Sequence, residues 1–184
     1  MDGSQFFFTE KATELSYQDL IFMLNAAGTT LAATLFSLLI GTLLGFILGM
    51  ITTFKIPVLN KLPYIFIEPL RNSPLVVQLF LLFYGLPMLT KINFSKWQAA
   101  FITLGCNTAA FIAVIVHASV AAIPQHQWES AYALGHSYAS SFTHIIFGQA
   151  FRIFIPPALN IYISQLHTSS LLSFIGFMEI THAG

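Results

Sequence analysis

Residues 20–54 read LIFMLNAAGTTLAATLFSLLIGTLLGFILGMITTF, an apolar run of 35 residues without a charged side chain. A single helix of this length would extend about 52 Å, whereas the hydrocarbon core of a bilayer is about 30 Å thick. We therefore predict a transmembrane helix over residues 28–54, preceded by an interfacial lead-in over residues 17–27. This run decides the fold class, because its length and polarity are typical of a membrane-spanning helix.

Three glycines recur at every fourth position within this predicted helix: Gly41, Gly45 and Gly49. This spacing puts three positions without a side chain on one face, where the backbone of another helix can approach closely. The pattern indicates a helix-packing face, although glycine is also frequent in membrane helices without such a role.

The composition agrees with a membrane protein surrounded by lipid. Of the 184 residues, 56% are hydrophobic and 8% are charged, against roughly 25% charged residues in soluble domains. Seven basic and seven acidic residues cancel, so the chain lacks the strong positive field typical of nucleic-acid-binding proteins. The single cysteine, Cys106, builds neither a disulfide framework nor a cysteine-rich metal site, and we predict no metal and no cofactor.

Three further apolar runs can cross a membrane: residues 73–90, 97–123 and 153–178. The segment between the first two spans, residues 55–72, contains three prolines that disfavour a regular helix, so we expect it in water or at the interface. Because a charge at mid-bilayer costs about 2.5 to 3.5 kcal/mol on insertion scales, Arg71 should mark a membrane edge.

The distribution of basic residues predicts the orientation. Four spans alternate sides, so residues 125–152 lie on the same side as residues 55–72. That side has four basic residues against three on the other: Lys55, Lys61, Arg71 and Arg152 against Lys11, Lys91 and Lys96. The positive-inside rule therefore places the 125–152 loop in the cytoplasm and an acidic N-terminal segment, residues 1–27, outside. Residues 28–184 form the membrane domain in this interpretation.

The cytoplasmic loop contains a stretch of mixed polarity, WESAYALGHSYASSFTHIIFGQAFR, at residues 128–152. Gly135 is well placed just past a short helix, where a positive φ favours glycine. Ser137 can then cap a second helix. We predict two short helices around a tight turn that transmit motion between a soluble partner and the membrane. A surface loop lying on the lipid headgroups is the alternative.

Several motifs of the chain resemble those of one protein family. Glu129-Ser130-Ala131, followed by Gly135 and Ile146-Phe147-Gly148, is similar to the "EAA" cytoplasmic loop of ATP-binding-cassette importer permeases. Residues 70–80, LRNSPLVVQLF, are similar to the Phe-Arg-Gly-Thr-Pro-Leu-x-x-Gln segment of the polar amino-acid branch, which includes histidine, glutamine, glutamate and arginine permeases. The last block resembles the same branch in QAFR (149–152), Pro156-Pro157 with Asn160, and TSSLLSFIG (168–176) with Glu179.

This resemblance implies an all-α, polytopic helix bundle of the MetI-like permease fold in the bacterial cytoplasmic (inner) membrane. The expected partners are ATP-binding-cassette ATPase subunits, a second permease copy or a homologous permease, and an extracytoplasmic amino-acid-binding protein. By position, Glu129 and Ala131 begin the helix that couples to the ATPase, with Ser130 in place of the second alanine. Gly135 allows the turn and Ser137 starts the second helix.

The chain departs from the family pattern at three places. Phe147-Gly148 replaces the usual Leu-Pro, which removes a fixed turn and is expected to loosen the second helix. His167 stands where lysine is common, so a positive charge there becomes pH-dependent. Only four of the five expected spans are visible, which leaves a truncated, transport-inactive remnant as an alternative.

No catalytic motif occurs in the sequence. Gly-x-x-x-x-Gly-Lys-Ser/Thr is absent, so ATP hydrolysis is expected on a partner chain. An intramembrane enzyme is disfavoured because no nucleophile–base or metal constellation is present. Gln78, Asn160 and His167 are candidates for the substrate path, although a polar group within a span can instead bond a neighbouring helix. The remaining intramembrane histidine, His117, is interpreted as a hydrogen-bonded packing residue.

Overall fold

The computed structural model describes residues 17–54 and 62–175, and every regular element in these ranges is helical. Eight α-helices follow in chain order: α1 (Tyr17–Thr53), α2 (Leu62–Asn72), α3 (Leu75–Phe80), α4 (Leu86–Thr90), α5 (Lys96–Ala121), α6 (Gln125–Ala133), α7 (Tyr138–Ser141) and α8 (Phe147–Thr168). Two π-helical turns, Leu81–Gly85 and Phe142–Ile146, join α3 to α4 and α7 to α8, and a 3₁₀ segment, Ser169–Ile175, follows α8. The predicted all-α bundle is confirmed.

Three of the four predicted crossings are confirmed as helices long enough to span a bilayer, and the fourth is a bent pair of helices. Gly28–Thr53, Lys96–Ala121 and Tyr138–Leu172 are each long and apolar enough to span a bilayer. The fourth predicted run lies in a pair of helices, Pro63–Asn72 and Leu75–Thr90, which meet at an angle of 112°. This segment is therefore a broken span or a re-entrant loop.

Helix α5 lies at the centre of the bundle, with α1 parallel to it. A Cβ atom added to Gly41, Gly45 or Gly49 would lie 2.6–2.7 Å from backbone oxygens of α5, namely those of Gly105, Ala109 and Ala113. The two backbones are thus in direct contact along two helical turns. Ala158 of α8 packs on the same part of α5, beside Ile112 and Val116.

Helix α1 is longer than predicted. The lead-in over residues 17–27 does not form a separate element, because the helix runs without a break from Tyr17 to Thr53. The interval contains no proline, so no backbone N–H is missing from the helical ladder. Hydroxyl groups of this helix also bond to the carbonyl four residues earlier, as Thr34 does to Thr30 (2.8 Å).

The prediction of an irregular segment over residues 55–72 is wrong for residues 62–72, which form α2. Pro63 lies in the first turn, where a backbone N–H has no helical partner in any case. Pro69 lies inside the helix. Its own carbonyl, near the C-terminal end of the helix, accepts a hydrogen bond from Ser73 Oγ (2.6 Å). The helix ends before Pro74, which disfavours a helical conformation at the preceding residue. Residues 55–61 lie outside the described part of the chain.

Arg71 packs against the central helix α5, and its position at a membrane edge stays a prediction. Its Cζ atom is 5.7 Å from the ring centroid of Phe111 on α5. Phe111 is about 15 Å along that helix from Ala121 and about 22 Å from Lys96. Arg71 therefore lies beside the central part of α5 and not beside either of its ends, because α2 packs along that helix.

Candidate functional site

A helical hairpin, residues 125–146, follows the central span α5. Its first helix, α6, ends in a tight turn at Gly135, whose φ is +84°. The Gly135 N–H donates to the Tyr132 carbonyl (2.9 Å), and the His136 N–H donates to the Ala131 carbonyl (3.1 Å). This pair of bonds is a Schellman motif, which satisfies the last carbonyls of a helix and favours glycine at the left-handed position.

The second helix of the hairpin begins at Ser137 and is not a separate short helix. The Ser140 N–H donates to Ser137 Oγ (3.3 Å), which caps α7. The chain then continues without a break through the π-helical turn into α8. A movement of the hairpin is therefore transmitted directly to the membrane-spanning helix.

The expectation that Phe147-Gly148 loosens this helix is wrong. Both residues lie within the first turn of α8. The Phe147 ring packs edge-on against Phe46 of α1 (centroids 6.4 Å apart) and against Phe142 (6.0 Å). Aromatic packing of Phe147 onto α1 thus holds the start of α8 although no proline stands at position 148.

Aromatic contacts also fix the hairpin to the end of α1. Trp128 of α6 stacks on Tyr138 of α7 with centroids 5.2 Å apart and an interplanar angle of 17°. Phe54, at the end of α1, packs edge-on against both Tyr138 (5.9 Å) and Phe142 (4.8 Å). Because aromatic pairs have preferred geometries, these contacts hold the hairpin and α1 as one unit.

Glu129 occupies a different place in its helix from the one that the resemblance implies. The helix α6 begins at Gln125 and has no acidic residue in its first turn, so Glu129 lies in the middle and Glu129 and Ala131 do not begin the helix. The Glu129 Oε1 atom accepts a hydrogen bond from Gln125 Nε2 (2.9 Å). Ala131 is buried against the rest of the hairpin, whereas Glu129 and Ser130 are exposed.

The exposed side of the hairpin is partly apolar. The Leu134 side chain is 77% exposed and the Tyr132 side chain is 45% exposed, close to Glu129 in the chain. These two residues were missed by the sequence analysis. The position of Leu134 directly before the turn glycine was a signal in the sequence. An apolar side chain at the turn of a polar loop has few apolar neighbours to pack against, so it is expected to be exposed.

A second group of polar side chains lies inside the bundle, at the junction of α2 and α3. Gln78 Nε2 donates to the carbonyls of Leu70 (2.7 Å) and Ser73 (3.1 Å). Asn107 Nδ2 of α5 lies 3.5 Å from the same Leu70 carbonyl, and Gln165 Nε2 of α8 donates to Asn107 Oδ1 (3.0 Å). We name Gln78, Asn107 and Gln165 the amide network. It joins the broken span to the two helices beside it.

The three predicted substrate-path residues do not lie together. Gln78 bonds the end of α2 through its Nε2 atom, while its buried Oε1 atom has no hydrogen-bond partner among the described residues. Asn160 and His167 are exposed on α8. They share one side of that helix with Arg152 and Ser164, opposite the side that faces α5. The long span that contains α8 is mostly exposed within the single chain, so this polar side faces outward.

Residues 41–183, which contain the hairpin and the amide network, match the family of the binding-protein-dependent transport system inner membrane component. The chain belongs to this family. As a member of it, this inner membrane component is a multi-pass protein of the bacterial inner membrane, in agreement with the localisation expected from the sequence.

Curated relatives of this inner membrane component are described as amino-acid permeases. The probable amino-acid ABC transporter permease PatM of Vibrio harveyi is 33% identical over 160 residues, which is 86% of this chain and 72% of the relative. The probable permease YckA of Bacillus subtilis is 32% identical over 91% of this chain and 74% of the relative. The L-cystine permease TcyB of Bacillus subtilis is 34% identical, over 63% of this chain and 49% of the relative.

Solved structures support the same fold. A chain from the crystal structure of an amino acid ABC transporter with histidines superposes with a TM-score of 0.84 at 29% identity, covering 90% of this chain and 77% of that chain. A chain of the MetNI methionine ABC transporter, in an inward-facing conformation, superposes with a TM-score of 0.76 at 19% identity, covering 92% and 81%. The second likeness concerns the fold alone, which is the predicted MetI-like one.

Replacing Asn107 with leucine in this inner membrane component is expected to destabilise it by about 1 to 2 kcal/mol. The substitution leaves Gln165 Nε2 buried without its acceptor, and a buried unpaired donor retains its desolvation penalty. Thermal unfolding in detergent, followed by tryptophan fluorescence, measures the change. The matched control is Asn160→Leu, at an exposed position of α8, which is expected to unfold at the wild-type temperature. Equal destabilisation by the two variants would contradict the amide network.

Proposed function

We propose that this chain is the membrane-spanning permease subunit of an ATP-binding-cassette importer for polar amino acids. One observation carries the proposal: the hairpin with the "EAA"-like sequence is rigidly packed, continuous with α8, and exposes an apolar face to the solvent. The relatives named as amino-acid permeases support the substrate class. Membership of a transport family also argues against the alternative of an intramembrane enzyme.

The exposed face of the hairpin is the docking site for an ATPase subunit in this proposal. Leu134 and Tyr132 supply apolar and aromatic contacts of the kind that anchor protein interfaces. Glu129 lies beside them and can pair with a basic side chain or backbone amides of the partner. Ser130 is exposed on the same helix, and its small side chain permits close approach.

The packing of the hairpin supports a mechanism for coupling. ATP-driven closure of two ATPase subunits would draw together the hairpins of two permease subunits. Because α7 continues into α8, and because Phe54 and Tyr138 join the hairpin to α1, both membrane helices would move with it as a rigid body. Hydrolysis takes place on the partner chain, and the permease itself is not an enzyme in this mechanism.

The outward side of α8 faces a second permease subunit, identical or homologous, across the translocation path. Arg152, Asn160, Ser164 and His167 are polar, and polar groups at membrane depth are usually covered by protein or water. Asn160 and His167 therefore remain our candidates for the path. An extracytoplasmic binding protein would deliver the amino acid to the outer side, where residues 1–27 lie, while residues 28–184 form the permease domain.

Substitution of Leu134 by aspartate is expected to reduce the amount of co-purifying ATPase subunit at least tenfold. A central apolar anchor of an interface contributes 2 kcal/mol or more when it is removed, on the order of a thirtyfold change in affinity. The experiment co-expresses the permease with the ATPase subunit of the same transport system and compares pull-down yield and ATP hydrolysis. Glu129→Ala is expected to have a smaller effect, because an exposed charge contributes less.

The matched control is Leu89→Asp, since Leu89 is 84% exposed and lies at the opposite end of the bundle. This variant should retain the ATPase subunit. If the wild-type permease neither retains an ATPase subunit nor stimulates its ATP hydrolysis, the proposed function is wrong. If both the wild type and Leu134→Asp retain the ATPase subunit and stimulate its ATP hydrolysis, the docking face does not include Leu134.

A further inference from the structure

Two cavities follow each other along one face of α5, near the end of the helix that leads into the hairpin. The inner cavity, of about 180 Å³, is lined by Ala113, Val114 and His117. The outer cavity, of about 260 Å³, is lined by His117, Val120 and Ala121. Residues three, four and seven positions apart share one face of a helix. The two cavities are therefore neighbours, with His117 between them.

The inner cavity contains two charged side chains of α2, Glu68 and Arg71. Both are exposed in the single chain. The Arg71 guanidinium lies over the ring of Phe111, beside the central part of a helix that is long enough to span a bilayer. Charged side chains in such a position are stable where they face a partner group or a water-filled cavity. Water in the inner cavity would meet this requirement for both charges.

The outer cavity lies between the end of α1, the end of α5 and the hairpin. Thr53 lines it from α1, and Gln125, Trp128 and Tyr138 line it from the hairpin. Hydroxyl, amide and imidazole groups are thus present in its walls, and each can form hydrogen bonds with water. Gln125 and Tyr138 are exposed, so water can enter from the side of the membrane on which the hairpin lies.

His117 is fixed between the two cavities by a hydrogen bond to α1. The Thr53 hydroxyl donates its single hydrogen to the Gly49 carbonyl (2.7 Å). Thr53 Oγ1 therefore accepts a hydrogen bond from His117 Nδ1, which lies 3.3 Å away. In this tautomer of the neutral ring, His117 Nε2 holds a lone pair and can accept a hydrogen bond from water. The imidazole thus presents a polar group where the two cavities meet.

We propose that the two cavities form one water-filled inlet, which opens to the cytoplasm and hydrates Glu68 and Arg71, with His117 at its constriction. Each cavity is large enough for several water molecules and supplies the polar partners that ordered water requires. The walls of the inlet come from α1, α2, α5 and the hairpin, so the inlet is separate from the path assigned to the outward side of α8. Its cytoplasmic opening rests on the proposed function, which places the hairpin in the cytoplasm.

The test measures how fast introduced cysteines react with 2-aminoethyl methanethiosulfonate, a small charged reagent that modifies thiols exposed to water. Val114→Cys reports on the inner cavity and Ala121→Cys on the outer cavity. Each permease variant is co-expressed with the ATPase subunit and studied in membrane vesicles of both orientations. Free cysteine on the far side of the membrane removes any reagent that crosses. Mass spectrometry of the labelled peptides gives the rate at each position.

The native cysteine, Cys106, is a matched control within the same molecule. It lines an apolar groove together with Leu44 and Ile65, where a charged reagent does not enter readily. Reagent added on the cytoplasmic side is expected to modify Val114→Cys at least about 100-fold faster than Cys106, because the reacting thiolate and the charged reagent both require water. This ratio does not depend on the amount of protein, since both thiols belong to one chain.

Substitutions of His117 test the constriction. His117→Phe is expected to lower the rate at Val114→Cys at least about tenfold, because an apolar ring removes the polar group that water needs at the narrowest point. The rate at Ala121→Cys should stay the same. His117→Gln keeps a polar group and should leave both rates unchanged. His126→Phe, at an exposed histidine that lines neither cavity, is the control for the same change of side chain.

If Val114→Cys reacts no faster than Cys106 while Ala121→Cys reacts readily, water does not pass His117 and the inlet is disproved. An undiminished rate at Val114→Cys in the His117→Phe protein would show that water reaches the inner cavity by another route, which contradicts the constriction. Both outcomes leave the proposed function standing. Reaction of Ala121→Cys from the extracytoplasmic side alone would reverse the orientation of the hairpin and count against the proposed function itself.

Discussion

Replacing Gly45 with leucine is expected to abolish the packing of α1 on α5 and to leave little folded protein after extraction into detergent. A Cβ atom at this position alone would lie 2.6 Å from the Ala109 carbonyl oxygen and 2.7 Å from the Ile112 Cβ atom. Favourable carbon contacts require about 3.5 to 4.0 Å, so the two helices must separate. Overpacking of this kind costs about 1 to 3 kcal/mol for small additions, which is our expectation for Gly45→Ala. Leucine adds three more carbon atoms and exceeds that range.

Gly28→Leu is the matched control, because an added Cβ atom at Gly28 meets no atom within 4 Å. The same side chain is introduced into the same helix, where it slightly favours helix formation relative to glycine. Monodisperse elution on size exclusion and the unfolding temperature measure the outcome. If Gly45→Leu elutes and unfolds like Gly28→Leu, the close approach of α1 to α5 is not essential for stability.

Replacing Gly135 with valine is expected to lower permease-stimulated ATP hydrolysis and amino-acid uptake at least tenfold while the membrane bundle stays folded. The φ angle of +84° costs an L-amino acid roughly 1 to 2 kcal/mol, and a β-branched side chain is a genuine outlier there. Opening of the Schellman turn would displace Leu134 and the neighbouring docking face. The hairpin projects from the bundle, so we expect the unfolding temperature to change little.

Two control substitutions separate backbone strain from side-chain size. Gly135→Asn should retain most of the coupled activity, because asparagine tolerates the left-handed conformation. Gly148→Val adds the same side chain at a helical position where a Cβ atom meets nothing within 4 Å, and it should also remain coupled. Full activity of Gly135→Val would show that the turn at this position is not needed to hold the docking face.

Local sequence patterns predicted the hairpin well but missed its most exposed residues. Ser137 and Gly135 act on backbone groups only a few residues away, so their place in the turn follows from short-range rules. The exposure of Leu134 depends instead on which side of α6 packs inward, and that side carries Trp128 and Ala131. That choice is made by the aromatic contacts with Tyr138 and the end of α1, which no short window of sequence contains.

The amide network shows the same limit inside the membrane. Asn107 and Gln165 are 58 positions apart in the chain, and each could have faced lipid, water or another helix. Their hydrogen bond exists because α5 and α8 cross at this depth. The sequence shows that both polar side chains are present, but it does not show that α5 and α8 cross where these side chains lie.

The sequence by itself determined that this is a helical membrane protein with four apolar runs, a glycine face on the first and a turn at Gly135. These features follow from hydropathy, helical period and the backbone conformations that glycine allows, all of which act locally. Only the tertiary structure decided that α2 places Arg71 over Phe111 of α5, that Gln78 bonds the end of α2, and that the polar side of α8 faces outward. Such placements depend on which helix surfaces are close enough to pack, and this is settled by contacts between residues far apart in the chain.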